Sequence, residues 1–590
     1  MRIVFKVVFL IACLLPSCMM MAQAVSSVET ACKVADRVLQ DVRFYYNLKL
    51  AGEKDYWVVE TVDFSRNFCQ KGTAYAMSTI VADVDKIVKL SLVNYGACQI
   101  ILNGKTVWNN PGMSERDFRY IERDFILKGE VDLHLNKGIN KILIKSLAPQ
   151  SGKWKVHLRT HGFKFTLTGL KEVEKSLSDV SKWLIIGTFP EDDFRKNTVI
   201  ENEFVTGKMY KGYAGEWISW MIPRLDIVAA NAEIHQPWGE GYTAFNYHAA
   251  GLAMAMAMEM LGNYTGLDAY SGYCRTYCDF FIEKRKYMAY QKYVVNAFNA
   301  WDHKLVEGYL LDYTSAPLLP YAEVLLNTEP EKRKPEYIAL FNEMQDYLDH
   351  VQTRTPEGNF NRINPVKHTV WVDDMYMSLP FLVQSSRLTN DKEMKMKRLT
   401  EAAEMVFAFN KYVYHPELGL YQHAQFTDKP AKLPFWSRGN GWALWAVTNI
   451  LSELPKNHPL YKKLLKHYRE HVEGITAWQD KSGLWHNLLN VPESYLETSG
   501  TAIFTLCIAR GIMNGWLNGK KYTPIVEKGW AGIETMIDEQ YQVHGITVGT
   551  NGTTDINYYL ERPTALNDCH GLFPVIIAAI QVDKLRSMNK

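Results

Sequence analysis

The chain predicts two folds in series, an all-β sandwich followed by an all-α domain of six helix pairs closing into a ring. Three observations predict it. Six times in the second part of the chain, an aromatic and a charged or polar residue stand just before a small-residue, apolar run of helical character. They are Tyr247-His248, Asp312-Tyr313, Trp371-Val372-Asp373, Trp436-Ser437-Arg438, Tyr495-Leu496-Glu497 and Asp568. Markers at 247, 312, 373, 438, 497 and 568 lie 65, 61, 65, 59 and 71 residues apart, each step long enough for two helices and their loops. A second, offset series places a turn glycine before an apolar residue at Gly358-Asn359-Phe360, Gly419-Leu420, Gly483-Leu484 and Gly545-Ile546, in steps of 61, 64 and 62. Ahead of both series, over residues 56–170, the apolar period drops to two.

In chain order, residues 1–24 read as a secretory signal. Arg2 and Lys6 lead an apolar run from Val7 to Leu15 that is too short to span a bilayer, and Ala22-Gln23-Ala24 is a small-residue cleavage site. Export is expected, periplasmic or else membrane-anchored, since Leu14-Leu15-Pro16-Ser17-Cys18 resembles a bacterial lipoprotein box with Cys18 as the lipid site. In residues 25–55, Ser26-Ser27-Val28-Glu29 is a capping box, and Val28, Cys32, Ala35, Val38, Leu39 and Val42 recur at helical spacing. Residues 56–170 carry the strands, with Asn103-Gly104 and Lys137-Gly138 as hairpin turns. Residues 171–206 connect, with one more strand at Trp183-Leu184-Ile185-Ile186, and the helical domain runs over 207–586.

With 590 residues the chain exceeds one ordinary core. A net charge near +2 without a basic stripe excludes nucleic acid as a partner, while 16 Trp and 33 Tyr suit surfaces that stack on sugars. The seven cysteines after residue 24 are odd in number and scattered, which argues against a disulfide framework. Cys274 and Cys278 are one helical turn apart but have no further ligand at metal-site spacing, so no metal and no cofactor is expected. A ring would bring the first-turn side chains Asp312, Asp373, Arg438 and Glu497 to one central pocket. Capping alone explains an aspartate there, but not an arginine or paired tryptophans.

Two resemblances follow from particular residues. Leu102-Asn103-Gly104-Lys105, with the stretch from Leu135 to Leu143, resembles galactose-binding-like jelly rolls attached to carbohydrate enzymes; no exposed aromatic cluster is legible, so a buttress is expected. Trp371-Val372-Asp373-Asp374-Met375-Tyr376, Trp436-Ser437-Arg438-Gly439-Asn440-Gly441-Trp442, and Gln479-Asp480-Lys481-Ser482-Gly483-Leu484-Trp485 leading to Tyr495-Leu496-Glu497-Thr498-Ser499-Gly500 stand in family order. Together they resemble the unsaturated uronyl hydrolases of glycoside hydrolase families 88 and 105, more the latter.

That resemblance implies an (α/α)6 barrel that removes a 4,5-unsaturated glucuronyl or galacturonyl residue from the non-reducing end of oligosaccharides made by polysaccharide lyases. It implies hydration in place of direct displacement: Asp373 protonates C4, water adds at C5, and the hemiketal opens to expel the remaining sugar. It also implies that His423 stands near the attacking water, that Asp312 is a second acidic residue and that Tyr247 contacts the sugar.

An acid for this step needs a raised pKa, which burial among Trp371, Tyr376 and Met377 and a neighbouring Asp312 would supply. Arg438 offers a fork of donors to the uronide carboxylate, and Trp371, Trp436 and Trp442 wall the pocket or stack on the ring. The alternatives are an inverting glycosidase pairing Asp373 with Glu497, or a glycan-binding protein without turnover. The chain departs from the rhamnogalacturonan-type pattern where Asp374 replaces a glycine and Phe360-Asn361-Arg362 replaces an aromatic-His-Lys stretch.

Overall fold

The computed structural model describes residues 26–49, 60–68, 71–112, 129–150, 154–169, 182–202, 207–223, 229–235, 247–289, 304–308, 310–363, 369–426 and 430–588. The signal segment, Cys18 and Cys69 lie outside the described residues.

The N-terminal region is rich in strands. After β1 (Arg43–Lys49) come β2 (Glu60–Asp63), β3 (Thr73–Ala82), β4 (Lys86–Asn94), β5 (Cys98–Leu102), β6 (Lys105–Asn110), β7 (Gly129–Leu135), β8 (Gly138–Leu147), β9 (Lys155–His161) and β10 (Leu184–Phe189). They form a four-stranded sheet of order β2-β9-β4-β7 and a five-stranded sheet of order β10-β3-β8-β5-β6, antiparallel throughout. Val62, Leu90, Leu92 and Leu158 of the first share an apolar core with Ala74, Ala76, Ile100 and Ile144 of the second, as a two-residue period requires. β1 stands apart, paired with Ala229–His235, so the chain leaves toward the two sheets and returns from them along one ribbon.

Asn103 and Gly104 take positive φ, 50° and 81°, in the expected hairpin between β5 and β6. Lys137-Gly138 is a different turn from the one expected, because it carries the chain from one sheet to the other. The Asn140 side chain accepts from the Asn136 N–H (2.9 Å) and donates to the Asn136 carbonyl (2.8 Å), replacing the ladder bonds that a hairpin would supply.

Among the described residues, twelve helices have eight residues or more: α1 (Ser27–Asp41), α2 (Ala249–Thr265), α3 (Asp268–Ala289), α4 (Leu319–Leu326), α5 (Pro335–His350), α6 (Asp373–Leu388), α7 (Lys392–Val413), α8 (Ser437–Glu453), α9 (Tyr461–Thr476), α10 (Thr498–Met513), α11 (Gly519–Thr535) and α12 (Cys569–Met588). The even-numbered helices touch in the order α2, α4, α6, α8, α10, α12 and back to α2. Each carries an outer partner: α3, α5, α7, α9 and α11 follow their inner helices, while α1 packs on α12. Inner helices are apolar on every side, as in α2, where every residue from Leu252 to Met258 is buried. Outer helices show one buried stripe; on α9 it runs through Leu464, His467, Tyr468, His471, Val472 and Ile475.

The repeat is visible in the loops as well. Gly358, Gly419, Gly483 and Gly545 all adopt positive φ, between 66° and 94°, so the second glycine series marks left-handed turns between one helix pair and the next. α1 begins as its capping box predicts, with the Ser26 hydroxyl accepting from the Glu29 N–H (3.1 Å). The next residue then reaches across the chain, Ser27 Oγ donating to the Ala579 carbonyl of α12 (3.0 Å).

Candidate active site

The leading ends of five inner helices meet around one cavity of about 110 Å³. His248 caps α2, Asp312 and Tyr313 form a 3-10 turn ahead of α4, Asp373 starts α6, Trp436 and Arg438 begin α8, and His570 lies in the first turn of α12. Lys304, Leu310, Arg362, Trp371, Met377, Trp442 and the loop Gly549-Thr550-Asn551 complete the lining. Helix N-termini carry partial positive charge, and several aimed at one space favour an anion there.

Asp373 Oδ2 lies 3.3 Å from His423 Nε2, yet neither atom has an aligned hydrogen-bond partner among the described residues. His423 is brought there by its backbone: its carbonyl accepts from the Val372 N–H (3.0 Å), and its own N–H donates to the Pro434 carbonyl (3.1 Å). The imidazole is fully buried, tilted over Trp436 at 4.5 Å and met edge-on by Trp371 at 5.3 Å. Its Nδ1 is 2.7 Å from the Tyr559 hydroxyl.

The expected raised pKa belongs to the wrong aspartate. Burial pushes the Asp373 carboxyl up, but its contact with His423 and the charges of Arg362 and Arg438 outweigh it and hold the group below the ordinary carboxylate range. Asp312, expected to push Asp373 up as a neighbour, instead faces Arg362, with Oδ2 3.1 Å from Nη2. Asp374, fully buried, is the carboxyl pushed up, to about 6, by desolvation that its Arg362 partner only partly offsets.

Arg362 was not singled out as a site residue. Its Nε and Nη2 donate to both oxygens of Asp374 at 2.7–3.1 Å, and its guanidinium stands 4.7 Å over the Trp371 ring. The two departures from the rhamnogalacturonan-type pattern are thus one ion pair, and their joint occurrence was the available signal.

Arg438 is fully buried, and three of its five N–H bonds are taken: Nη1 donates to Ser499 Oγ (3.0 Å) and the Thr547 carbonyl (2.6 Å), Nη2 to the Val548 carbonyl (2.9 Å). Nε has no partner among the described residues, so with the second Nη2 hydrogen it leaves a two-donor fork open.

Other expected residues divide. Trp371, Trp436 and Trp442 line the cavity, but Trp436 already covers His423 and the Arg438 guanidinium (4.4 Å), and Trp442 stacks on Phe573 and Tyr376 as interhelical packing. Tyr247 is not at the cavity. It is fully buried against Phe281, and the residue that reaches the lining is its neighbour His248, whose Nε2 is 3.8 Å from Asp312 Oδ1. At an N-cap, consecutive side chains point apart, which a marker placed on 247 misses by one. Glu497 is also outside the lining: as the cap of α10 it accepts from the Ser499 and Gly500 N–H groups, the Ser499 hydroxyl and the Thr547 N–H. Asp568 holds the His570 ring through Nδ1 at 2.7 Å.

Comparison with known proteins assigns the family. Residues 242–586 match Glycosyl Hydrolase Family 88, and the chain belongs to that family. It is 30% identical over 182 residues to an unsaturated 3S-rhamnoglycuronyl hydrolase of Alteromonas sp. (strain LOR), covering 30% of this chain and 43% of that protein, so the match spans less than half of the relative's length. It is 26% identical over 277 residues to the unsaturated rhamnogalacturonyl hydrolase YesR of Bacillus subtilis (strain 168), covering 46% of this chain and 77% of that one. A solved structure of a possible GH105 member from Salmonella enterica serovar Paratyphi A is similar at 21% identity and a TM-score of 0.47, over 60% of this chain and 86% of that chain.

Proposed function

We propose that this protein removes a 4,5-unsaturated uronic acid from the non-reducing end of lyase-generated oligosaccharides by hydrating the C4=C5 double bond, with Asp373 as general acid and then base. The observation that carries the reading is a set of buried polar atoms without hydrogen-bond partners among the described residues: Asp373 Oδ2 and Arg438 Nε on two residues that line the cavity, and His423 Nε2 just behind the lining, 3.3 Å from Asp373. Orphaned buried groups lower stability, so a cluster of them aimed at one space fits a ligand that satisfies them. The closed cycle of inner helices supports an (α/α)6 barrel, and the core shared by two sheets supports a jelly-roll-like sandwich before it.

The uronide carboxylate docks on the open fork of Arg438. That anion, arriving beside a carboxylate, reverses the electrostatic balance at Asp373 and draws a proton onto it. Asp373 then protonates C4. Water adds at C5, its proton returning to Asp373, and the hemiketal opens to release the remaining sugar. Glu497 speaks against a two-carboxylate displacement, because four donors already occupy it.

Lyase-generated oligosaccharides from pectin, ulvan and glycosaminoglycans, read by ultraviolet absorbance of the enol ether in labelled water, test the proposal. Absorbance falls and the new oxygen is found on C5. Label on C1 would mean anomeric displacement, and binding without any absorbance change on the whole panel would mean a glycan-binding protein.

A further inference from the structure

We propose that Tyr559 is a positioning residue that sets the tautomer of His423, so that Nε2 carries the proton and faces Asp373. The inference rests on the proposed role of Asp373, but its first observable is independent of any activity.

Two contacts decide the direction of the hydrogen bond. The Tyr559 oxygen accepts from the Thr553 N–H at 3.2 Å and lies 2.7 Å from His423 Nδ1. If Nδ1 carried the proton and donated to the phenol, the phenol's own hydrogen would have no acceptor among the described residues, in a side chain that is fully buried. A buried donor without an acceptor costs about 1–3 kcal/mol. With Tyr559 donating to Nδ1, every group is used: the phenol oxygen accepts from Thr553, the phenol hydrogen goes to Nδ1, and the neutral ring keeps its proton on Nε2, 3.3 Å from Asp373 Oδ2.

Tyr559 is itself held in place. Its ring packs with Trp436 and Leu488, and its carbonyl accepts from Asn487 Nδ2 at 3.0 Å. Asn487 Oδ1 in turn accepts from Trp436 Nε1 and Thr547 Oγ1, both at 3.1 Å. The phenol therefore ties the loop that follows the cavity-lining Gly549-Thr550-Asn551 to the His423 and Asp373 pair. The consequence for chemistry is specific. In this tautomer His423 presents its N–H to Asp373, and the base in the hydration step is Asp373 alone.

The test uses the full chain with 15N-labelled histidine, the His423 ring signals being assigned by their loss in His423→Asn. The wild type shows His423 protonated at Nε2, and Tyr559→Phe shows a shift toward Nδ1 protonation. A wild-type ring protonated at Nδ1, or a tautomer unchanged in Tyr559→Phe, overturns the inference whether or not the proposed activity is found. On a substrate that turns over, Tyr559→Phe lowers kcat by at least about tenfold, toward the roughly 10²–10⁴-fold span of acid–base groups, with KM nearly unchanged. In the pair Tyr559→Phe with His423→Asn, the tyrosine change adds nothing further; additive losses would show that Tyr559 does not act through His423.

Discussion

On one side of the cavity Arg362 is closed by both oxygens of Asp374, and on the other Arg438, Asp373 and His423 face one another with polar atoms left open. Each group pairs an arginine with an aspartate, the second adding a histidine, and both are largely buried. What differs is satisfaction: the first is an ion pair whose removal is a problem of stability, the second an arrangement with polar atoms left without partners among the described residues. Asp373 and Asp374 show the contrast within two residues, since His423 and two arginines hold the first below its ordinary range while desolvation pushes the second up to about 6. A raised carboxyl is therefore a poor guide here, because the upward shift belongs to the ion-paired aspartate and not to the one with an open oxygen.

The largest expected effect tests the open side. Asp373→Asn retains substrate binding and loses turnover by at least the roughly 10²–10⁴-fold typical of a general acid, read as the rate of absorbance loss; near-normal turnover would reassign the acid. The closed side breaks differently. Arg362→Met strands a buried carboxylate and lowers unfolding free energy by about 3–5 kcal/mol, and adding Asp374→Leu recovers much of it, as denaturant titration of the three variants shows.

A pH series sharpens the same contrast. Folding raises the Asp374 pKa, so the stability it contributes is fully present below its unfolded value of 3.8 and is lost as pH rises through about 6. Relative to Asp374→Asn, the wild type is thus stabilised by about 2 kcal/mol on going from pH 6 to pH 4. A flat difference would remove the raised carboxyl from the account. Arg438→Lys keeps the charge but loses the fork and raises KM by about tenfold, equivalent to roughly 1.4 kcal/mol; an unchanged KM counts against a carboxylate dock. The smallest effect is Tyr247→Phe, which removes a buried hydroxyl without a hydrogen-bond partner among the described residues, leaves kcat unchanged and shifts stability by no more than about 1 kcal/mol upward.

The helix ring was legible because its period is long and its inner helices share one demand, a small-residue, apolar run after a polar start. The markers found all six inner starts, and at 312, 373 and 438 they found cavity residues directly. Elsewhere the one-residue geometry of a cap decided the outcome, so that His248 lines the cavity and Tyr247 does not. Arg362 was visible only as a departure, since a paired cation carries no spacing signature. Tyr559 had no signal at all: it sits on a short helix, Ile556–Leu560, inside a stretch without periodicity, and its meaning depends on a histidine 136 residues away. The outer position of α1 was hidden because its partner α12 lies at the other end of the chain.

That last arrangement has a consequence for how the molecule is made. The ribbon of β1 with Ala229–His235 pinches off the two sheets as a guest threaded into a circular array whose twelfth member was synthesised first. α1 must wait, its apolar stripe uncovered, while more than five hundred residues emerge before Ala579 arrives to receive the Ser27 hydroxyl. Closure of the circle is then the most sequence-distant event in the fold and a slow one, and a chain halted before α12 leaves α1 without its main packing partner and α2 without one of its two neighbours in the ring.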